Sequence, residues 1–405
     1  MGLSRALRAA AIAGTISAML AIGFAAAPDV RAQTRITVPG AGPLYYPNIV
    51  AQLPVGRLYF FGTSEAVGPP LSILAAYDLL NHQIGENWFP GSTAQVVNYP
   101  ASIGLLSFSL AAPGVDDAVA MGRVSLDDQI RNAVAGGDPV VVAGLSEGTL
   151  VVNRELAHLA TTPGAPAADL VSFAMFGGPE LGLADIYLRP GTWVPLMDYT
   201  ARTLADSQYD VSVVVHQYDF WADPPDRPWN LLAVANALLG TVYFHDGTAL
   251  ATPSDAVVVS QVTSPLGGTT TTYLIPAPTL PLLKPLQQLG VSQRAIDVLK
   301  PVVDAGYSSL TPDAGPYFSH GRLVGLPARL SSPPTAATRV APRARIGGPR
   351  ERPRSVRAST IRAGAARSAP ASRPAPAKPA RVRPNSIARS APRPTALRSH
   401  PASVS

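Results

Sequence analysis

Gly144-Leu145-Ser146-Glu147-Gly148 sets a serine between two glycines, each two residues away, directly after the apolar run Val140-Val141-Val142-Ala143. A serine nucleophile is presented in this way, at a sharp turn between a strand and a helix, where glycines give the crowded backbone room. Out of context the pentapeptide is common and equally describes a glycine-rich turn with a capping serine. A hydroxyl attacks an ester carbonyl only when a base takes its proton and an acid orients that base. In chains with this turn the order is serine, then carboxylate, then histidine.

That order directs the search past the next apolar run, Val211–Val215, to His216-Gln217-Tyr218-Asp219-Phe220-Trp221-Ala222-Asp223. Asp219 lies just beyond the strand end and is the expected acid. Asp223, beside Pro224 and Pro225, is the alternative. Of the six histidines, His82 and His158 precede the acid, and His320 and His400 fall near or within the tail. His216 is placed to line the site. His245 follows an apolar segment and precedes a turn, which makes it the expected base. An oxyanion hole needs two backbone donors. The amide of Glu147 is one. Phe60-Phe61-Gly62-Thr63-Ser64-Glu65 offers the other, with Thr63 preferred and Ser64 second.

The elements that must position these groups alternate between β-branched runs and helical patterns. The expectation is an α/β fold of α/β-hydrolase type: a mainly parallel central sheet with helices on both faces. Candidate strands are Arg35–Val38, Arg57–Phe61, Gln95–Asn98, Val140–Ala143, Leu170–Phe176, Val211–Val215 and, late in the chain, Thr269–Pro276. Ser125 with Asp128 resembles a capping box ahead of Leu126, Ile130 and Val134. A helix is expected from Ser146 to Ala160, and helical segments over Leu280–Tyr307 broken at Pro285 and Pro301. Trp229–Leu239 fits either a lid over a lipid chain or an ordinary buried helix.

Composition sets the limits. The 405 residues contain no cysteine, which excludes disulfides, thiolate chemistry and thiolate metal sites. No histidines cluster at metal-ligand spacing and no phosphate loop is present, so no cofactor or metal is expected. Charge is segregated. Residues 331–405 carry sixteen basic side chains against the single acid Glu351, a net of +15, and the rest of the chain is at −9. The basic pI therefore belongs to the tail, and a nucleic-acid partner is not implied. That tail, rich in Ala, Pro, Arg and Ser, is expected to be disordered, either a solvated extension or a tether to anionic envelope polymers or membrane surface. At the other end Arg5 and Arg8 precede the uncharged stretch Ala9–Ala27 and a cleavage-like Val30-Arg31-Ala32. The organisation expected is a signal peptide or membrane anchor over 1–32, a catalytic body over 33–330 and the tail over 331–405. The body is then exported, to the cell envelope or beyond.

Taken together, these blocks resemble the PE-PPE domain of mycobacterial proteins, a cutinase-like α/β-hydrolase family. The similarity runs from about Gly56 to Tyr307. It rests on Gly62-Thr63-Ser64-Glu65, Asn98-Tyr99-Pro100-Ala101, Ser125-Leu126-Asp127, Gly144–Gly148, Gln217–Asp223, Asn230-Leu231-Leu232-Ala233 leading to Tyr243-Phe244-His245, and Thr272–Pro276 with Leu280–Pro285. The resemblance implies a serine esterase. It is similar to an exported branch that moves acyl chains between trehalose glycolipids, so a lipid ester or acylated sugar is the implied substrate. The chain departs from cutinases in carrying Glu147 where they have glutamine, and in lacking their disulfides. Plain ester hydrolysis and a non-catalytic envelope-binding role on the same fold are the competing expectations.

Overall fold

The computed structural model describes residues 34–43, 51–55, 71–287, 290 and 292–326. The leader, the tail, the boundaries expected for both, the candidate strand Arg57–Phe61 and the Thr63–Ser64 loop all lie outside the described residues.

Seven strands form one sheet. They are β1 (Thr34–Val38), β2 (Thr93–Val96), β3 (Val140–Leu145), β4 (Val171–Phe176), β5 (Val211–His216), β6 (Val257–Thr263) and β7 (Thr269–Ile275), in the spatial order β6-β7-β5-β4-β3-β1-β2. Every pairing is parallel except the β6/β7 hairpin at one edge. All six residues of β3 are buried, as a central parallel strand covered on both faces requires.

Side-chain alternation along the strands divides the core in two. Val140, Val142, Phe173, Met175, Val211 and Val213 face one cluster. Val141, Ala143, Ala174, Phe176 and Val214 face the other. The first face is covered by α2 (Val115–Val134), through Leu126 and Ile130, and α3 (Glu147–Leu159), through Val151, Val152 and Leu156. The second is covered by Leu80 of α1 (Ile73–Gln83) with Ile84, Trp88 and Phe89. Helices therefore lie on both faces of a mainly parallel sheet.

Three local expectations change. Ser125 does not start a helix: α2 begins ten residues earlier, after Gly114, with Asp116 and Asp117 complementing the positive end of its first turn. Ser125 instead donates from mid-helix to the Asn98 carbonyl (3.2 Å). The strand expected at Gln95–Asn98 runs over Thr93–Val96. Past α4 (Leu231–Gly240), α5 (Gln293–Asp304) continues through Pro301, because a proline in a final turn forfeits a single backbone hydrogen bond without ending the helix. The helix α4 packs on the segments that follow it in the chain, and no residue of 229–239 lines the cavity described below. It is a packed helix, not a lid.

Candidate active site

Ser146 sits between β3 and α3 with φ 53° and ψ −119°, a conformation that side-chain-bearing residues rarely adopt. The flanking glycines make this turn possible. A Cβ on Gly148 would lie 2.1 Å from the Val38 carbonyl oxygen, and one on Gly144 would lie 2.8 Å from the Gly148 oxygen. The helix is thereby drawn against the ends of β1 and β3. The Ser146 amide is occupied, donating to the Phe176 carbonyl (2.9 Å). Glu147 opens α3, where the first amides have no partner inside the helix.

Beyond β5 the chain turns sharply at Tyr218, whose φ is 66°. Asp219 follows, fully buried. Its Oδ1 accepts from the Trp221 amide (3.1 Å), and its Oδ2 lies 2.7 Å from Nδ1 of His245. The histidine is carried by a π-helical turn, Thr241–His245, that prolongs α4; such wide turns recur where a helix must aim a side chain. Since a carboxylate only accepts, Nδ1 bears the proton and Nε2 is left with its lone pair. That Nε2 is buried and makes no hydrogen bond among the described residues. Burial opposes protonation of the ring, but the charge and hydrogen bond of Asp219, with Asp246 adding to them, raise the His245 pKa above its ordinary value.

Ser146 and His245 line one cavity of about 790 Å³, walled largely by apolar side chains that include Leu80, Ile103, Leu150, Leu183 and Met197. Asp223 takes no part in the contact with His245. Its Oδ2 accepts from the Tyr218 amide (2.8 Å), and burial pushes its acid up to about 7. His216 stacks on Phe244 with ring centroids 4.0 Å apart, and burial lowers its pKa. His82, by Asp78, and His320, by Asp185, stand apart from the cavity. Among the described residues no group of three or more His, Cys, Asp or Glu is placed to hold a metal.

A PE-PPE domain model matches residues 90–308, more than half of the chain. This chain belongs to the PE-PPE domain family. A curated relative, the uncharacterized PPE family protein PPE63 of Mycobacterium tuberculosis, is 53% identical over 295 residues, covering 72% of this chain and 58% of that protein. The chain thus spans little more than half the length of that relative. The SL1278 acyltransferase Chp1 of Mycobacterium tuberculosis is 38% identical over 334 residues, covering 78% of this chain and 74% of Chp1. The diacyltrehalose acyltransferase Chp2 of the same organism is 37% identical over 292 residues, covering 66% and 79%. Among solved structures, the catalytic core of an acetyl xylan esterase from Trichoderma reesei overlaps 54% of this chain and all of its own, at 11% identity and a TM-score of 0.27. A likeness at that level carries no weight.

Two parts of this PE-PPE site were not read from the sequence. The loop after β1 lies against the nucleophile: a Cβ on Gly40 would stand 2.9 Å from Ser146 Cβ and 3.7 Å from its Oγ. Gly177, just past β4 with φ 62°, supports the histidine, since a Cβ there would stand 3.1 Å from His245 Cε1 and 3.2 Å from Nδ1. The signal for the first was a glycine-rich stretch, Pro39-Gly40-Ala41-Gly42, directly after a strand; the second has only a glycine pair, Gly177-Gly178, after β4.

Proposed function

We propose that this PE-PPE chain is a serine esterase/acyltransferase acting on lipid acyl esters through Ser146, His245 and Asp219. The observation that carries the reading is the 2.7 Å contact between His245 Nδ1 and Asp219 Oδ2, with the ring's other nitrogen unpartnered among the described residues and the ring in a cavity shared with Ser146. His245 Nε2 takes the Ser146 proton as Oγ bonds to the ester carbonyl carbon, and Asp219 stabilises the resulting imidazolium. The tetrahedral oxyanion is held by the Glu147 amide and by a second amide from the loop after β1 at Gly40–Ala41, or from Thr63. Collapse breaks the bond to the leaving alcohol, which receives the proton from His245. An incoming hydroxyl then gives its proton to His245 as its oxygen bonds to the acyl carbon; the bond from that carbon to Ser146 Oγ breaks, and Oγ takes the proton back from His245.

Water as the acceptor makes the protein an esterase. A sugar hydroxyl makes it an acyltransferase, and the names of Chp1 and Chp2 favour that outcome, with an acylated trehalose among the substrates to be tried. The apolar cavity suits a lipid chain and excludes competing water from its depth. Export to the cell envelope, drawn from the basic start and apolar stretch before residue 33, completes the proposal.

Mass spectrometry after fluorophosphonate trapping should find the label on Ser146. Ser146→Ala should lose turnover of a p-nitrophenyl ester by on the order of 10⁴- to 10⁶-fold. Equal rates for the variant and the parent would reject the mechanism. Release of free fatty acid alone at every concentration of sugar acceptor would leave the esterase and remove the transferase.

A further inference from the structure

The segment Ile103–Val115 holds thirteen consecutive residues without an ionisable side chain, and Trp193-Val194-Pro195-Leu196-Met197 has none either. The fold lays one on the other. The Val115 amide donates to the Met197 carbonyl (2.9 Å), the Asp116 amide donates to the Asp198 carbonyl (2.9 Å), and a Cβ on Gly104 would lie 2.9 Å from the Met197 oxygen. Each segment faces two ways. Ile103, Val115, Val194 and Met197 line the Ser146 cavity. Leu105, Leu110, Trp193 and Leu196 point outward, with exposures of 54%, 95%, 56% and 53%. The apolar wall of the cavity therefore continues into apolar side chains on the protein surface, with the Asp198 carboxylate seated against Gly114 and Trp193 beside them.

We propose that this rim, Leu105, Leu110, Trp193 and Leu196, seats the protein on a lipid surface, from which an acyl ester passes directly into the Ser146 cavity. The inference rests on the lipid-ester reading of the site. Long acyl chains reside in bilayers or aggregates, and a cavity that opens through an apolar rim lets a chain leave one without crossing water. Several large exposed side chains close together mark an interaction surface. The occupant follows from the cavity behind the rim: its lining is largely apolar and reaches Ser146, so what the rim meets is the medium that holds the acyl chain. Trp193 suits the boundary: its ring is exposed and its indole N–H is satisfied by Asp198 Oδ1 at 2.8 Å.

The test uses the full chain, its Leu110→Asp and Leu196→Asp variants, and Leu110→Trp. Rates are compared on a monomeric short-chain p-nitrophenyl ester and on a long-chain ester dispersed as aggregates. Binding is followed by flotation with uncharged phosphatidylcholine vesicles at high salt, where the basic tail contributes little. Each aspartate should lower the ratio of the aggregate rate to the monomer rate by about tenfold, the cost of taking one leucine out of the apolar contact. The vesicle-bound fraction should fall with it, and Leu110→Trp should keep both. An unchanged ratio, whether both rates hold or fall together, overturns the proposal. So does a lowered ratio with undiminished vesicle binding, which would point to a contact with the substrate molecule or with a protein. Failure of the chemistry is separable: Ser146→Ala hydrolysing the monomeric ester at the parent rate refutes the site, while flotation of that variant still reports on the rim.

Discussion

Gly177→Ala tests the site where its geometry is tightest. Two costs arise and can be measured apart. The first is backbone: a side chain at φ 62° costs about 1–2 kcal/mol whatever surrounds it. The second is contact. The new methyl would stand 3.1 Å from His245 Cε1 and 3.2 Å from Nδ1, and 3.6 Å from Asp219 Oδ2. Two carbon atoms in contact prefer roughly 3.5–4.0 Å, so the imidazole must shift by a few tenths of an ångström. A misplacement of about 1 Å at a reacting centre costs on the order of 10²-fold, so this smaller shift should cost about tenfold in kcat. Gly164→Ala supplies the control. Gly164 also has a positive φ, 76°, but nothing lies within 4 Å of its Cβ position, so that variant carries the backbone cost alone. Denaturant unfolding and p-nitrophenyl ester turnover of both variants are then compared. Gly177→Ala should lose at least as much stability as Gly164→Ala, and only Gly177→Ala should lose about a factor of ten in kcat. Equal activity in the two variants would mean that His245 is not held against Gly177 in the working enzyme, and the assignment of the base would lose its geometric ground.

The acids can be separated by one substitution each. Asp219→Asn should lower kcat by about 10⁴-fold, whereas Asp223→Asn, whose amide oxygen can still accept from Tyr218, should stay within a few fold of the parent. The base works only when neutral, so activity rises with pH through the His245 pKa. Because Asp219 is what raises that pKa against burial, the residual activity of Asp219→Asn should have its acid limb at lower pH. Glu180 is buried and accepts from Arg154 (2.8 and 2.9 Å), Asn153 (2.7 Å) and the Tyr199 hydroxyl (2.9 Å), all buried, and from the Arg202 amide (2.9 Å), which is partly buried. Removing it strands a buried guanidinium, so Glu180→Ala should lose about 3–5 kcal/mol in denaturant unfolding. Burial pushes the Glu155 carboxyl from 4.5 to about 8, with Asp127 adding to it. The folded state therefore holds that proton more tightly than the unfolded chain. The associated stability is complete below pH 4.5 and is lost as pH rises through about 8, so Glu155→Gln should gain in melting temperature over the parent as pH is raised across this window.

What the sequence disclosed and what it hid follow from the range of the interactions. Val140–Ala143 and Val211–Val215 are legible because a strand covered on both faces is apolar at nearly every position, Ser212 being the exception here, and both lie inside the sheet. The elbow is legible because steric crowding demands glycine at fixed offsets from the serine. Asp219 and His245 were reached by their order along the chain, and the structure brings these two into contact. Strand β6 was missed for the opposite reason: it is an edge strand exposed over most of its length, so burial imposes no pattern on Val257–Thr263. The start of α2 was misplaced because Ser125 and Asp128 match a capping pattern that is short and frequent, while the true cap is a glycine with no side chain to read. Gly177 and Glu180 leave almost no local trace. Their roles are set by His245 and by Arg154, which reach them only through the fold.

Glu147 departs from the cutinase pattern at the residue whose amide is expected to hold the oxyanion. At the first position of α3 the helix dipole would favour a carboxylate, and an ionised one would stand beside the amide expected to hold the oxyanion, opposing it. Burial opposes that charge. The residue is 3% exposed, and desolvation raises its pKa well above its ordinary value, against a lowering contribution from the Ser102 backbone. Burial thus favours the neutral acid at this position, and a neutral side chain would leave the positive character of the end of α3 in place. Negative charge is instead delivered by Asp219 to Nδ1 of His245, the nitrogen opposite the one that would meet the serine. The developing anion would then face backbone amides and the developing cation a carboxylate. An ester-cleaving transition state needs that separation.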